Sequence, residues 1–178
     1  MFKRKKEMTK KEIALSAYGN AINHGFKFDD LNENLINAMG ELYEGLEHKM
    51  RLGEHCWNVD YKVMQIEELN NTVEMEIADC YIRTMAVMGA LDYDFEITVL
   101  VTGVSSQIEK ANSYTDFMVA VGERLLGSGG FEPILYGVCN GIELWCNNNA
   151  IDLQWFVATK MEYNKTREHL HGKQQTRL

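Results

Sequence analysis

Two pairs of carboxylates stand three residues apart in the chain, Glu41 with Glu44 and Glu76 with Asp79, and both fall in stretches whose apolar residues recur at helical spacing. Groups three apart project from one side of a helix, so each pair presents two acids together. The first pair is ordinary by itself. Glu41 and Glu44 lie opposite the stripe of Leu35, Leu42 and Leu46 and beside Asn34, Asn37 and His48, a pattern that suits a solvent-facing side. The second pair is not ordinary. Ile77, Cys80, Thr84, Val87, Met88 and Leu91 occupy one side of its helix and Ala78, Ile82, Met85 and Gly89 another, which leaves Glu76, Asp79 and Arg83 as the only charged stripe. A helix buried on most sides holds two carboxylates only against cations, and Arg83, one turn beyond Asp79, answers part of that need. A hard divalent ion is the simplest remaining counter-charge, and oxygen donors are what Mg2+ takes. The competing reading is an internal bridge from Asp79 to Arg83, with Glu41 and Glu44 in water.

A third group is cationic. Lys160, Asn164, Arg167 and His171 fall in one narrow sector of a last helix and continue the face that carries Leu153, Phe156 and Val157. Beside a divalent cation such a stripe suits a ligand bearing several phosphate charges. Alone, it reads equally well as a solvated helix end whose cations meet the negative end of the helix dipole.

The elements that must carry these groups read as an all-α bundle, since proline occurs once and apolar positions keep the helical period. Thr9 and Glu12 form a capping box that opens a helix to about Gly25. A second helix follows Asp29 and Asp30, with Leu31, Leu35, Met39, Leu42, Leu46 and Met50 on its apolar face and Gly53 as its stop. Residues 54–71 read as a connecting loop. The third helix starts near Asn71 or Thr72 and continues to about Leu91. Residues 95–102 have strand propensity without a partner strand and stay unassigned. A helix from about Ser113 ends at the break from Gly127 to Gly130, Pro133 suits the first turn of another that reaches Cys146, and a last helix spans Ala150 to about His171.

Composition bounds the function. With 178 residues, 46% of them apolar and 25% charged, the chain suits one globular domain over residues 1–178, with residues 1–8 as a basic arm. A net charge of −8 argues against a generic nucleic-acid binder. Lys3, Arg4, Lys5, Lys6, Lys10 and Lys11 are the exception and read as a solvated terminus. No apolar run approaches the roughly 20 residues that span a bilayer, and no signal region follows the basic start, so the expectation is a soluble, cytoplasmic protein with no membrane partner. The four cysteines form no CxxC pair and read as buried reduced thiols. Self-association, as a dimer or larger, is expected because the third helix and the run of Ile134, Leu135, Val138, Ile142 and Trp145 need more cover than a few helices supply. A di-iron carboxylate site needs Glu-x-x-His on two helices, and only Glu168 with His171 matches; a P-loop motif is missing altogether.

The ordered set of Glu41-Leu42-Tyr43-Glu44, then Glu76-Ile77-Ala78-Asp79, then Lys160, Asn164 and Arg167 in a KxxxNxxR segment, closed by His171-Gly172-Lys173, resembles the MazG-like nucleoside triphosphate pyrophosphohydrolases. That all-α group also contains the dimeric dUTPases and the dCTP pyrophosphatases. The resemblance covers residues from about 15 to 91 and from 149 to 173. Two departures accompany it: 31 residues separate Glu44 from Glu76, long for the family spacer, and residues 92–148 look like an extra helical layer. The resemblance implies Mg2+-dependent cleavage of a nucleoside triphosphate to the monophosphate and pyrophosphate, with Mn2+ able to replace Mg2+. It implies Glu41, Glu44, Glu76 and Asp79 as metal ligands, Glu41 or Glu44 as general base, and Lys160, Asn164 and Arg167 as phosphate-gripping residues. His24 and Phe26 match loosely a histidine and an aromatic residue that border the family's base pocket. The non-enzymatic alternative is a catalytically silent helical scaffold that keeps the fold.

Overall fold

The computed structural model describes residues 7–52, 61–96 and 102–167, and among these residues the fold is all-α. Thr9 opens α1 (Lys10–Asn23): its hydroxyl accepts from the Glu12 amide while the Glu12 carboxylate accepts from the Thr9 amide, so the expected capping box is formed. The helix buries Ile13, Ala14 and Ala17. In α2 (Leu31–Leu52) Leu35, Met39 and Leu42 are buried, but Met50 is 81% exposed, so the apolar face stops packing before the helix ends.

The rod at the centre is α4 (Val73–Ala90), capped by the Thr72 hydroxyl, which accepts from the Met75 amide. Helices α1, α2, α7 and α8 all pack on it, and every residue from Val73 to Met88 except Arg83 is buried. The apolar periodicity on nearly all sides of this helix is therefore answered within one chain. Leu135, Val138, Ile142 and Trp145 are buried in the same core. The apolar surplus behind the expectation of a dimer is consumed internally.

Residues 102–148 carry the next three helices. Helix α5 (Thr102–Glu109) lies chiefly on α7 (Glu132–Asn148), and α6 (Tyr114–Gly127) lies on α2 and α7. The turn between α6 and α7 uses Gly129 and Gly130 at φ of 57° and 82°, a left-handed backbone that glycine adopts without a Cβ penalty, and Pro133 follows in the first turn of α7. Helix α8 (Leu153–Lys165) then returns along α4, capped by the Asp152 carboxylate on the Trp155 amide.

Several expectations are corrected. The segment read as loop carries, in its described part, a 3-10 turn at Tyr61–Val63 and a single helical turn, α3 (Ile66–Leu69), held by a capping box between Gln65 and Glu68. Tyr61 anchors it on the rings of Trp155 and Phe156. Thr102, left unassigned, starts α5; residues 97–101 lie outside the described residues. Helix α8 begins after Ala150, because that residue turns at φ 57° and Asp152 caps the next turn, and it ends at Lys165 rather than near His171. His171, Gly172 and Lys173 lie outside the described residues, as do Lys3 to Lys6 and Cys56.

Lys10 does not belong to a solvated arm. Its Nζ stands 2.8 Å from Glu143 Oε2 and 2.5 Å from Asn140 Oδ1, above the ring of Tyr136. Cys80, Cys139 and Cys146 are buried free thiols, as expected, and burial pushes all three above the ordinary thiol range. Among the described residues no helix is long and apolar enough to cross a membrane.

Candidate functional site

Where α2 crosses α4, Gly45 makes room for Tyr114 of α6: a Cβ there would overlap the Tyr114 hydroxyl, while it would meet the Glu76 Cβ at an ordinary 3.4 Å. That hydroxyl donates to the Leu42 carbonyl at 2.8 Å and fastens α6 over the crossing. Glu44 immediately precedes this contact and Glu41 lies one turn before it, so both ride over Glu76. Oxygen atoms of Glu41, Glu44 and Glu76 fall within 4.8 Å of one another.

The fourth predicted acid, Asp79, stands outside that triad. Its Oδ1 accepts from Asn164 Nδ2 at 3.5 Å, and its Oδ2 lies 3.5 Å from Lys160 Nζ, which is also 3.9 Å from Glu76 Oε2. Lys160 and Asn164 are each 4% exposed, so these residues of α8 face the acids rather than solvent. Arg83 reaches beyond its own helix: its Nη2 lies 2.8 Å from Glu41 Oε1, across the interface between α4 and α2, while the charge of Asp79 also acts on it from one turn away. Glu41, placed on a solvent face by its spacing, is 7% exposed; Glu44 is exposed.

The electrostatics follow from burial. Desolvation pushes Glu76 up to about 8 against the pull of Lys160, and the neighbouring charges of Glu41, Asp79 and Glu44 add to the rise. Glu41 rises to about 7 through desolvation and the nearness of Asp79, even with Arg83 beside it. Burial opposes the charge of Arg83, but Asp79, Glu41 and Glu44 outweigh it and hold the guanidinium more firmly protonated than usual. Two carboxyl groups of this pocket therefore hold their protons to about neutral pH or above. Glu76 Oε2 is buried and accepts no hydrogen bond.

Around these groups opens a cavity of about 570 Å3, lined by all four acids, by Lys160, Arg167 and Arg83, and by Phe26, Ile36, Asn37, Gly40, Asn70 and Tyr163. Arg167 stacks its guanidinium over Tyr163. A narrower slot of about 50 Å3 adjoins it, shares Phe26, Asp79 and Arg83, and adds Asn164, Phe28, Asn20, Asn34 and small alanines. Of the two residues expected near a base pocket, Phe26 lines both spaces, while His24 is not among the lining residues. Its ring nitrogens stand 2.8 Å from the Asn20 carbonyl and 3.0 Å from the Arg167 carbonyl, clasping the end of α1 to the end of α8.

His48 is the residue that the sequence pattern left on the solvent side. Its Nε2 stands 3.4 Å from Glu76 Oε1 with the side chain 12% exposed, and burial with the charge of Arg51 lowers its pKa. The signal was available in its spacing, because Glu41, Glu44, His48 and Arg51 recur along one stripe of α2. No protein-family model, no curated protein and no solved structure matches the chain.

Proposed function

We propose that the chain is a Mg2+-dependent hydrolase that cleaves a (deoxy)nucleoside triphosphate into the monophosphate and pyrophosphate. The observation that carries the proposal is the meeting of Glu41, Glu44 and Glu76 within 4.8 Å, in one cavity that Lys160 and Arg167 also line. The donor set fits a hard divalent cation, since all three groups offer carboxylate oxygens, burial and neighbouring acids raise the carboxyls of Glu41 and Glu76 despite Arg83 and Lys160, and Glu76 Oε2 lacks any donor. Glu41, Glu44 and Glu76 would hold the ion, with Asp79 behind them on Lys160 and Asn164. A bound divalent ion neutralises triphosphate charge and makes water a stronger nucleophile.

The remaining work belongs to the side chains. Glu44, the exposed carboxylate of the three, meets the water in the cavity and takes its proton as general base. Arg167, which lines the same cavity, supplies charge-assisted hydrogen bonds to phosphate oxygens. Lys160 keeps Glu76 and Asp79 together and places its positive charge at the same wall. Phe26 and Phe28, with the amides of Asn20 and Asn34, offer a planar base a stacking surface and polar edges. The ordered acid and KxxxNxxR motifs, by their resemblance to the MazG-like enzymes, support the same chemistry.

Phosphorus NMR of a panel of deoxynucleoside and ribonucleoside triphosphates with Mg2+ tests the reading. Monophosphate and pyrophosphate should appear in equal amounts, and chelation should stop the reaction. Early nucleoside diphosphate and orthophosphate would point to a different phosphate hydrolase. The silent scaffold is favoured by one observation, that Arg83 and Lys160 already answer Glu41 and Asp79 without a metal; failure on every triphosphate, together with no stabilisation by Mg2+ or Mn2+, would select it.

A further inference from the structure

We infer that His48 is a positioning residue for Glu76, fixing one carboxylate oxygen so that the other is presented to a divalent cation. The inference rests on the metal-binding reading above and adds a residue to which neither the acid motifs nor the cationic stripe assigns a role.

The argument starts at Arg51, whose guanidinium contacts His48 Nδ1. A guanidinium only donates, and a ring nitrogen accepts only when it carries no proton. A neutral His48 that accepts from Arg51 at Nδ1 carries its proton on Nε2, the nitrogen that stands 3.4 Å from Glu76 Oε1. One stripe of α2 thus runs from an exposed arginine, through a ring whose orientation and tautomer it sets, to a buried carboxylate on α4.

Glu76 needs such a partner. The last torsion of a glutamate is broad, so a carboxylate held at neither oxygen samples many orientations. Burial leaves Glu76 few other anchors, because Lys160 Nζ is 3.9 Å from Oε2, beyond hydrogen-bond reach. With Oε1 turned toward the His48 N–H, Oε2 remains as the buried oxygen that accepts no hydrogen bond. Outer groups that orient metal-ligating side chains in this manner typically change metal affinity about 10–100-fold when removed.

Mn2+ alone is the probe, titrated into the full chain while the electron paramagnetic resonance signal of the free ion is followed. His48→Leu should weaken Mn2+ binding about tenfold or more. His48→Gln, whose side-chain amide can donate from near the position of Nε2, should restore most of the lost affinity. Arg51→Met, which leaves both tautomers of His48 available, should fall between the parent and His48→Leu. Melting curves without metal report folding separately, and if His48→Leu does not fold, the comparison of His48→Gln with Arg51→Met decides. Parental affinity in His48→Leu, alongside lost affinity in Glu76→Gln, would overturn the positioning role and leave the metal reading standing. A His48→Gln variant that folds normally yet binds as weakly as His48→Leu would also overturn it, since the ring rather than its N–H would then matter. A parent chain that takes up no Mn2+ would remove both the positioning role and the metal reading.

Discussion

Arg83 Nη2 lies 2.8 Å from Glu41 Oε1, joining α4 to α2 through side chains that are 23% and 9% exposed. The guanidinium occupies the place that a cation would take beside Glu41. Arg83→Met leaves Glu41 buried without its partner, and breaking a buried pair costs about 3–5 kcal/mol, reduced here to about 2 kcal/mol by the partial exposure of Arg83. At this chain length that corresponds to a melting temperature lower by about 4–8 °C. Mn2+ should then stabilise the variant more than the parent, because the ion meets a carboxylate with no competitor. Scanning calorimetry with and without Mn2+ measures both effects, and equal metal shifts in the two proteins would show that the ion does not reach Glu41.

The raised carboxyls predict a pH dependence with a definite sign. Glu41 and Glu76 hold protons up to about 7 and about 8 in the folded chain, whereas the ordinary value is 4.5. Below about 4.5 both folded and unfolded chains are protonated there and nothing is lost. As pH rises toward 8 the unfolded chain releases its protons first, so stability falls, and above that range the cost is fully present. Glu76→Gln removes the Glu76 part of this slope and leaves that of Glu41. Urea titrations without metal should find the variant more stable than the parent at pH 9, with the difference shrinking toward pH 5. Metal binding should release protons near neutral pH, read by calorimetry in buffers of different ionisation enthalpy; zero release would separate the ion from these two groups.

The acids were legible in the sequence because helical spacing alone puts three-residue neighbours on one side, and the nearly all-apolar α4 marked Glu76 and Asp79 as buried. Which cation meets which acid was not legible. Arg83 is one turn from Asp79 along its own helix, yet it pairs with Glu41, since that choice depends on where α2 crosses α4. The same crossing buries Glu41 and brings His48 over Glu76; spacing along α2 puts both on one stripe but does not say that the stripe meets α4. The short α3 and α5 were missed for a different reason: one or two helical turns give the apolar period too few repeats to register.

Lys160 and Arg167 were grouped by spacing, and the structure separates them. Lys160 is buried between Glu76 and Asp79, so Lys160→Met should both destabilise the fold and leave like charges facing each other. Arg167 lines the cavity from its half-buried position at the end of α8. Arg167→Ala should weaken binding of a non-hydrolysable triphosphate analogue by about 1.5–3 kcal/mol, roughly 10- to 150-fold, with little change in melting temperature. Titration calorimetry paired with melting curves checks the split. Equal loss of stability in both variants would place Arg167 in the fold rather than at the ligand.

The crossing itself can be tested through Gly45 and Tyr114. Tyr114→Phe removes the hydrogen bond to the Leu42 carbonyl while keeping the ring against Phe117 and Trp145, so it should cost about 1 kcal/mol and change metal affinity little. Gly45→Ala is different in kind. Its methyl group would overlap the Tyr114 hydroxyl while meeting Glu76 Cβ at an ordinary distance, so either the tyrosine leaves its acceptor or α2 is lifted out of place. A lift moves Glu44 and Glu41 away from Glu76, and the three carboxylates no longer share one ion. Mn2+ affinity should therefore fall far more in Gly45→Ala than in Tyr114→Phe, out of proportion to their stabilities. The double variant Gly45→Ala with Tyr114→Phe vacates the space that the methyl group needs and should recover part of the affinity. If it recovers none, the overlap with Tyr114 is not what holds α2 at its distance from α4.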